Sequence, residues 1–170
     1  MHDIDLVFQA CCRTLDSLKI KYAPNFSVVI DTRAKRRWGS CQKKKDGSYV
    51  IKISSVLLNE DVPLGSLKTT VYHELLHTVP RAMGHGKTWL QLARKVNEAT
   101  GLNIKPSTPA SEKGVQQDYA GDPSVKLLCV CQGCGAEVVR YRKCDFAKQL
   151  HRYRCGRCGG QFRVIFSRFQ

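Results

Sequence analysis

The stretch His73-Glu74-Leu75-Leu76-His77 constrains the fold most, because its two histidines can act together only if it is helical. Side chains four residues apart lie one above the other on one helical face, so both imidazoles point to the same side. Imidazoles in this arrangement bind a transition metal, and the intervening glutamate can take a proton from a water at that metal. The pattern therefore predicts a hydrolytic metal site on a helix.

The residues around this motif predict a helix over about 64–79, with its histidines away from the apolar stripe. At roughly 100° per residue, six apolar side chains gather on one side of that helix: Leu64, Leu67, Val71, Tyr72, Leu75 and Val79. His73 and His77 fall almost opposite, beside small polar residues. A histidine that only fills the core would lie within the stripe, so this placement favours metal binding.

A catalytic zinc usually has three protein ligands and one position open to water, so a third ligand is needed. His85 is the third histidine within thirteen residues, in a chain that has five. Met83 stands where metzincins have their third histidine, which excludes that pattern. Glu98 lies near the spacing of thermolysin-like enzymes, but on a helix it falls opposite the apolar Trp89. His85 is therefore the favoured third ligand.

The remaining periodic stretches predict two more helices and two strands. Their bounds are 4–18 for a helix capped by Asp3, 26–30 and 49–53 for the strands, and 87–99 for a helix that ends at Gly101. We therefore expect an α+β domain over residues 1–105, with helices packed on a small β-sheet. Prolines, glycines and serines without an apolar period predict a linker over 106–124.

Residues 125–170 contain two C-x-x-C pairs separated by twenty residues: Cys131 and Cys134, then Cys155 and Cys158. A glycine follows each pair and allows the backbone to turn tightly around the sulfurs. Four thiolates complete the coordination of one zinc, so we predict a zinc ribbon whose metal is structural and replaces a core of sufficient size. Cys129 is an alternative ligand beside Cys131, but its spacing suits the turn less well.

The chain has 28 basic and 14 acidic residues and a net charge of +14, which predicts a polyanionic partner, most simply nucleic acid. The basic residues cluster in a loop after the first strand and between the cysteine pairs: Arg33, Lys35, Arg36, Arg37, Lys43, Lys44 and Lys45, then Arg140, Arg142, Lys143, Arg152 and Arg154. Interleaved aromatic residues suit single-stranded or distorted DNA. The alternative is that the aromatic residues form the ribbon's core while the charges face solvent. In the loop, Trp38 and Gly39 are expected to be structural.

No apolar run approaches the roughly 20 residues of a membrane helix, and the acidic N-terminus lacks the basic start of an export signal. Nine cysteines without such a signal favour a reducing compartment, where they bind metal or stay as buried thiols, as expected for Cys41. We therefore predict a cytoplasmic protein, nucleoid-associated if bacterial, without a membrane partner.

Three segments together resemble the SprT-like family, which includes Spartan-type proteases and bacterial SprT proteins. They are His73 to His77, Gly84-His85-Gly86 with Trp89 three residues further on, and Trp38-Gly39-Ser40-Cys41 after a strand. The resemblance covers about residues 1–105, and a C-terminal zinc ribbon fits many members. It implies a zincin-like metallopeptidase fold with His73, His77 and His85 as zinc ligands and Glu74 as the catalytic acid and base. More loosely, it implies DNA association and cleavage of proteins bound or crosslinked to DNA, as in DNA–protein crosslink repair.

The sequence thus predicts a zinc metalloendopeptidase with one catalytic and one structural zinc, acting on DNA-bound proteins. The alternative is a non-catalytic nucleic-acid-binding or transcription-associated protein that keeps its metal for structure. Glu74 favours the enzyme, because a purely structural site does not need that carboxylate.

Overall fold

The computed structural model describes residues 1–34, 37–115, 119 and 121–169. Two of the predicted nucleic-acid contacts, Lys35 and Arg36, lie outside the described residues. The chain forms two compact units, Met1–Gln116 and Gln117–Gln170. The fold is mixed α+β, as predicted. The boundary between the units lies within the predicted linker 106–124, and the first half of that segment belongs to the first unit.

The described residues of the first unit form three α-helices, a three-stranded sheet and two short 3-10 helices. The α-helices are α1 (Ile4–Ser17), α2 (Leu64–His77) and α3 (Lys87–Thr100); the strands are β1 (Phe26–Asp31), β2 (Gly39–Lys43) and β3 (Tyr49–Ser54); the 3-10 helices are Ser55–Leu58 and Ser111–Lys113. The strand order is β1-β3-β2, with β1 parallel and β2 antiparallel to β3. Of the three described strands in this unit, β2 was not predicted, because basic residues dominate its surroundings and hide its short alternation.

Local signals explain where the predicted elements begin and end. The Asp3 carboxylate accepts hydrogen bonds from the backbone N–H groups of Asp5 and Leu6, at 2.9 and 3.0 Å, and so caps α1. Gly101 ends α3 in the left-handed conformation, with φ of 71°, a conformation that glycine adopts without a Cβ clash.

Helix α2 is the centre of the first unit, since it packs against α1, α3, β2 and β3. Its apolar stripe is fully buried at Leu67, Val71 and Leu75, as the wheel predicted, whereas Leu64, in the first turn, is 40% exposed. Burial of each such side chain contributes about 1.5–3 kcal/mol relative to exposure, so this face fixes the rotation of the helix. The face that carries the histidine motif is also largely buried, but there His73 and His77 pack against Trp89 of α3, and Glu74 packs against Gly39 of β2.

The second unit is a small antiparallel sheet with order β5-β4-β6. Its elements are β4 (Leu127–Cys131), β5 (Glu137–Arg140), the single-turn helix α4 (Asp145–Lys148), a 3-10 turn (Leu150–Arg152) and β6 (Phe162–Ser167). A β-bulge lies between Leu128 and Cys129. The cluster of buried apolar residues consists of Leu127, Cys129 and Phe146, with a few partly buried neighbours. So small a core supplies little stability by itself.

None of the helices in the described parts of the chain is long and apolar enough to cross a membrane.

Candidate functional site

Three histidines of the first unit bring their ring nitrogens together. His73 Nε2 lies 3.2 Å from His77 Nε2 and 2.9 Å from His85 Nε2. His73 and His77 come from the polar side of α2, one turn apart, and His85 comes from the segment just before α3. The sequence motif and its predicted third member therefore meet at one point.

The other ring nitrogen of two of these histidines is held by a backbone carbonyl. His73 Nδ1 lies 3.0 Å from Lys105 O, and His77 Nδ1 lies 3.0 Å from Ala82 O. A carbonyl oxygen only accepts, so each Nδ1 carries the hydrogen and each Nε2 presents a lone pair. Burial lowers the pKa of His73 to about 3 and also lowers the pKa of His77, so both rings are neutral.

This donor set fits a zinc ion. Lone pairs that face one another at 3 Å repel unless they share a cation, and neutral imidazoles with carbonyl-bonded Nδ1 atoms are the usual form of zinc ligands. Tetrahedral zinc with Zn–N distances of about 2.0–2.1 Å separates its nitrogens by about 3.3 Å. The observed separations are close to that value.

Trp89 of α3 packs against all three histidines of the cluster. Its fully buried indole ring lies 4.7 Å from the centroids of His73 and His85, and it stacks on His77 at 5.6 Å. The ring contacts limit the rotamers that the three histidines can adopt. The tryptophan that the sequence placed on the apolar stripe of α3 therefore also positions the candidate ligands.

Glu74 is almost entirely buried, with 4% of its surface exposed. Burial raises the pKa of its carboxyl to about 8, although the charges of Arg37 and Lys113 act in the opposite direction. The carboxyl packs directly against the backbone of Gly39 in β2: a Cβ added to Gly39 would lie 2.5 Å from Glu74 Oε1 and 2.8 Å from its Cγ. Glycine is therefore required at residue 39 by lack of space, and the edge strand fixes the carboxyl group.

A cleft of about 230 Å³ is lined by both His73 of the histidine cluster and the buried Glu74. It is lined by α2, by the start of β2 and by the segment that follows α3: Thr69, Thr70, His73 and Glu74; Arg37, Trp38 and Gly39; and Lys105, Pro106, Ser107, Thr108 and Lys113. A ligand in this cleft would therefore touch a candidate metal ligand and the buried carboxyl group together.

The segment 105–113 forms one wall of the cleft, which sequence reasoning missed. Lys105 O accepts a hydrogen bond from His73 Nδ1, and Thr108 O accepts a 2.9 Å hydrogen bond from Trp38 Nε1. The Lys113 ammonium donates to Ser66 O at 3.0 Å and to Thr70 Oγ1 at 2.7 Å. This wall is held by polar contacts rather than apolar packing, so it has no hydrophobic period that a sequence could reveal.

Glu98, the alternative third ligand that the helical wheel argued against, is not part of the histidine cluster. Glu98 is exposed on α3 and forms an ion pair with Arg94 at 2.8 Å. Cys41 is partly buried on β2 and is not in the histidine cluster, and burial raises the pKa of its thiol to about 12. Tyr72 and Thr78, which flank the motif, are buried in the core.

The second unit brings together Cys131, Cys134, Cys155 and Cys158. Two pairs of sulfurs, Cys131 with Cys158 and Cys134 with Cys155, lie 3.4 and 3.6 Å apart. Zn–S distances of about 2.3 Å predict about 3.8 Å between sulfurs, so four thiolates at this spacing also fit zinc. The backbone N–H of Cys134 donates to the Cys131 sulfur and lowers its pKa to about 6. The alternative ligand Cys129 lies instead in the core of the unit.

The predicted nucleic-acid contacts are mostly exposed. In the first unit these are Arg33, Arg37, Lys43, Lys44 and Lys45, and in the second Arg142, Lys143, Arg152 and Arg154. Arg140 is partly buried and lies over the Phe146 ring at 4.6 Å. Phe146 is buried, whereas Tyr141 and Tyr153 are each 38% exposed. The aromatic residues thus divide between the core of the second unit and its surface.

Comparison with known proteins agrees with these observations. The model of the SprT-like family matches residues 7–108, which include β2, the histidine cluster and Glu74. The chain belongs to the SprT-like family. This family is of the metallopeptidase type. Protein SprT-like of Streptococcus gordonii (strain Challis) is 31% identical over 107 residues. The match covers 60% of this SprT-like chain and 60% of that protein.

Proposed function

We propose that this SprT-like chain is a zinc-dependent metalloendopeptidase with a zincin-like site, acting on proteins bound or crosslinked to DNA. The observation that supports this most is the convergence of His73, His77 and His85, together with the cleft that His73 and Glu74 line side by side. Histidines that only filled a core would not turn their lone pairs toward one another. A structural metal site would also have no use for a buried carboxyl group at its side.

His73, His77 and His85 would hold the catalytic zinc through Nε2. A zinc ion there would supply Lewis acidity toward a water and a peptide carbonyl. The carbonyls of Lys105 and Ala82 keep the first two rings in the required tautomer, and Trp89 keeps all three in position. The protein therefore prepares the site before substrate arrives, so little reorganisation is needed during the reaction.

Glu74 would move the proton in the reaction. Its carboxylate accepts a proton from the attacking water, and the resulting carboxylic acid donates it to the leaving amine. Burial raises the pKa of Glu74, which strengthens it as a base, and a zinc ion beside it would act in the opposite direction and keep it a carboxylate. Packing against Gly39 keeps the carboxyl group at one place on α2.

The second unit would be a zinc ribbon that binds nucleic acid. Its four cysteines fit a structural zinc. The exposed Arg152 and Arg154 flank the partly exposed Tyr153, and the exposed Arg142 follows the partly exposed Tyr141. Basic side chains contact phosphates, and exposed rings stack on unpaired bases. Together with the basic loop beside β2, this unit would hold the enzyme where DNA-bound proteins are its nearest substrates.

Glu74→Gln tests the enzymatic role. The purified zinc-loaded chain is incubated with a basic DNA-binding protein, with and without single-stranded DNA, and the fragments are measured over time. We expect Glu74→Gln to keep its zinc and fold but to cleave about 10²–10⁴-fold more slowly. The control is Glu98→Gln, which alters an exposed carboxylate of α3 and should cleave at the wild-type rate. Full activity of Glu74→Gln would refute the proposed role.

The DNA requirement is tested in the same assay. Cleavage should be faster with single-stranded DNA than without it, and that gain should fall steeply as salt is raised. Equal cleavage with and without DNA at low salt would contradict the proposed DNA-directed action while leaving the peptidase activity intact.

A further inference from the structure

Lys113 is a buried ammonium group that lines the cleft. Its residue is 3% exposed, and its two described hydrogen bonds go to neutral acceptors, Ser66 O and Thr70 Oγ1. Among the described residues, no carboxylate lies within ion-pairing distance of it. The charges of Glu74 and Glu112 act on it only from further away. A buried charge that makes no ion pair is costly, so an anionic ligand in contact with Lys113 would offset that cost.

The geometry of Lys113 leaves one donor for a ligand. An ammonium carries three N–H bonds, and the described acceptors use two of them. Because Lys113 belongs to the wall of the 230 Å³ cleft, the remaining N–H is available to a group inside it. The two hydrogen bonds to α2 hold the ammonium in place, so a ligand gains the interaction without ordering a flexible side chain.

The other charges around the cleft also favour the binding of an anionic ligand. Arg37 lines the cleft and is exposed, with no carboxylate paired to it among the described residues. Lys105 also lines it but is paired with Glu112 at 2.8 Å. Glu74 is the one acidic residue among those lining the cleft. Basic groups therefore outnumber acidic ones where a substrate would lie.

We propose that Lys113 is a specificity-determining residue that binds a carboxylate of the polypeptide substrate. This rests on the proposed peptidase function, because the ligand is the chain being cleaved. A carboxylate of that same chain can reach Lys113 without any additional molecule entering the cleft. Two sources share this chemistry, an acidic side chain close to the scissile bond and the C-terminal carboxylate of the substrate.

Equilibrium binding tests the proposal in a form that cannot cleave. The zinc-loaded Glu74→Gln chain is titrated with fluorescent peptides of one sequence that carry either Glu or Gln at a central position, each with an amidated C-terminus. A third peptide carries Gln and a free C-terminus. We expect at least one carboxylate-bearing peptide to bind about tenfold more tightly than the neutral peptide. The peptide that does so identifies the source of the carboxylate.

Removing the charge of Lys113 should abolish this preference. Lys113→Met in the same background should bind all three peptides equally, at the affinity of the neutral one. Lys113→Gln keeps a hydrogen-bonding side chain without charge and gives a second test if the methionine variant is poorly folded. The control is Lys95→Met, which removes an exposed charge on α3 and should retain the preference. A loss as large in the control would assign the effect to general charge and overturn the proposal.

Cleavage by the otherwise unchanged enzyme separates this inference from the proposed function. If a carboxylate is preferred in binding through Lys113 but no peptide is cleaved, the peptidase proposal fails and the role of Lys113 stands. If peptides are cleaved with the same kcat/KM whatever their charge, the inference fails and the peptidase proposal stands. The inference also fails if Lys113→Met weakens binding of a DNA oligonucleotide but changes no peptide affinity.

Discussion

Gly39→Ala is the substitution whose effect the structure defines most sharply. The added methyl carbon would lie 2.5 Å from Glu74 Oε1, 2.8 Å from its Cγ and 2.9 Å from its Cδ. Contacts between such atoms are normally about 3.5–4.0 Å, so the carboxyl group must move by about 1 Å. Glu74 is too deeply buried to turn into solvent, and two of its three clashing atoms lie inside the side chain rather than at its end.

The size of the effect follows from that displacement. Overpacking of a filled site costs about 1–3 kcal/mol of folding stability. A misplacement of about 1 Å in a reacting group lowers the rate by about 10²-fold. The three atoms nearest to the added methyl all belong to Glu74 and none to a histidine, so zinc binding should change little. We therefore expect kcat/KM to fall about 10²-fold with zinc content unchanged.

The assay combines kcat/KM on a peptide substrate, zinc content and thermal unfolding for each variant. Gly65→Ala is the matched control, because the same added methyl on α2 meets only Leu102 Cδ2, at 3.9 Å. A helical glycine replaced by alanine gains up to about 1 kcal/mol, so the control should be at least as stable as wild type and equally active. A Gly39→Ala variant with wild-type stability and kcat/KM would refute the claim that β2 fixes the carboxyl group of Glu74.

Two further predictions concern the cysteine cluster and the buried lysine. Gly160→Ala would place a Cβ 2.9 Å from Cys131 Sγ and 3.2 Å from Cys158 Sγ, whereas the Cβ of Gly156→Ala meets nothing within 4 Å. The Gly160→Ala protein should therefore release zinc to a chromophoric chelator faster than the Gly156→Ala protein. Equal rates of release would contradict a zinc site at these sulfurs. Burial lowers the pKa of Lys113 from 10.5 to about 8, so between these pH values the unfolded chain binds more protons than the folded one and stability rises with pH. The difference in melting temperature between wild type and Lys113→Met should therefore shift in favour of wild type from pH 8 to pH 10, and a constant difference would contradict the lowering of the Lys113 pKa by burial.

The helical wheel predicted much of the site because α2 obeys a simple rule. Leu67, Val71 and Leu75 share one face of the helix, so His73 and His77 had to lie together on a different face. The same reasoning, applied to α3, favoured His85 over Glu98 as the third metal ligand, and Glu98 is indeed exposed and paired with Arg94. Periodicity therefore suffices where burial of an apolar stripe determines the orientation of an element.

Other parts of the site were beyond sequence reasoning for physical reasons. The contact of Gly39 with Glu74 joins residues 35 positions apart and depends on the register of β2, which has no strong pattern of its own. The wall formed by 105–113 is held by backbone carbonyls and by Lys113, whose burial nothing in the sequence marks. Tertiary polar contacts of this kind have no periodic signature. The domain boundaries, the individual site roles and the DNA partner remain predictions.

The central claim is that His73, His77 and His85 hold a metal beside Glu74. The most direct measurement is the zinc content of the purified full chain by elemental analysis, compared with that of a His73→Ala, His77→Ala double variant. We predict about two zinc ions per wild-type chain, one at the histidines and one at the four cysteines, and about one in the variant. About one zinc in both proteins would contradict the claim, because the histidine cluster would then hold no metal.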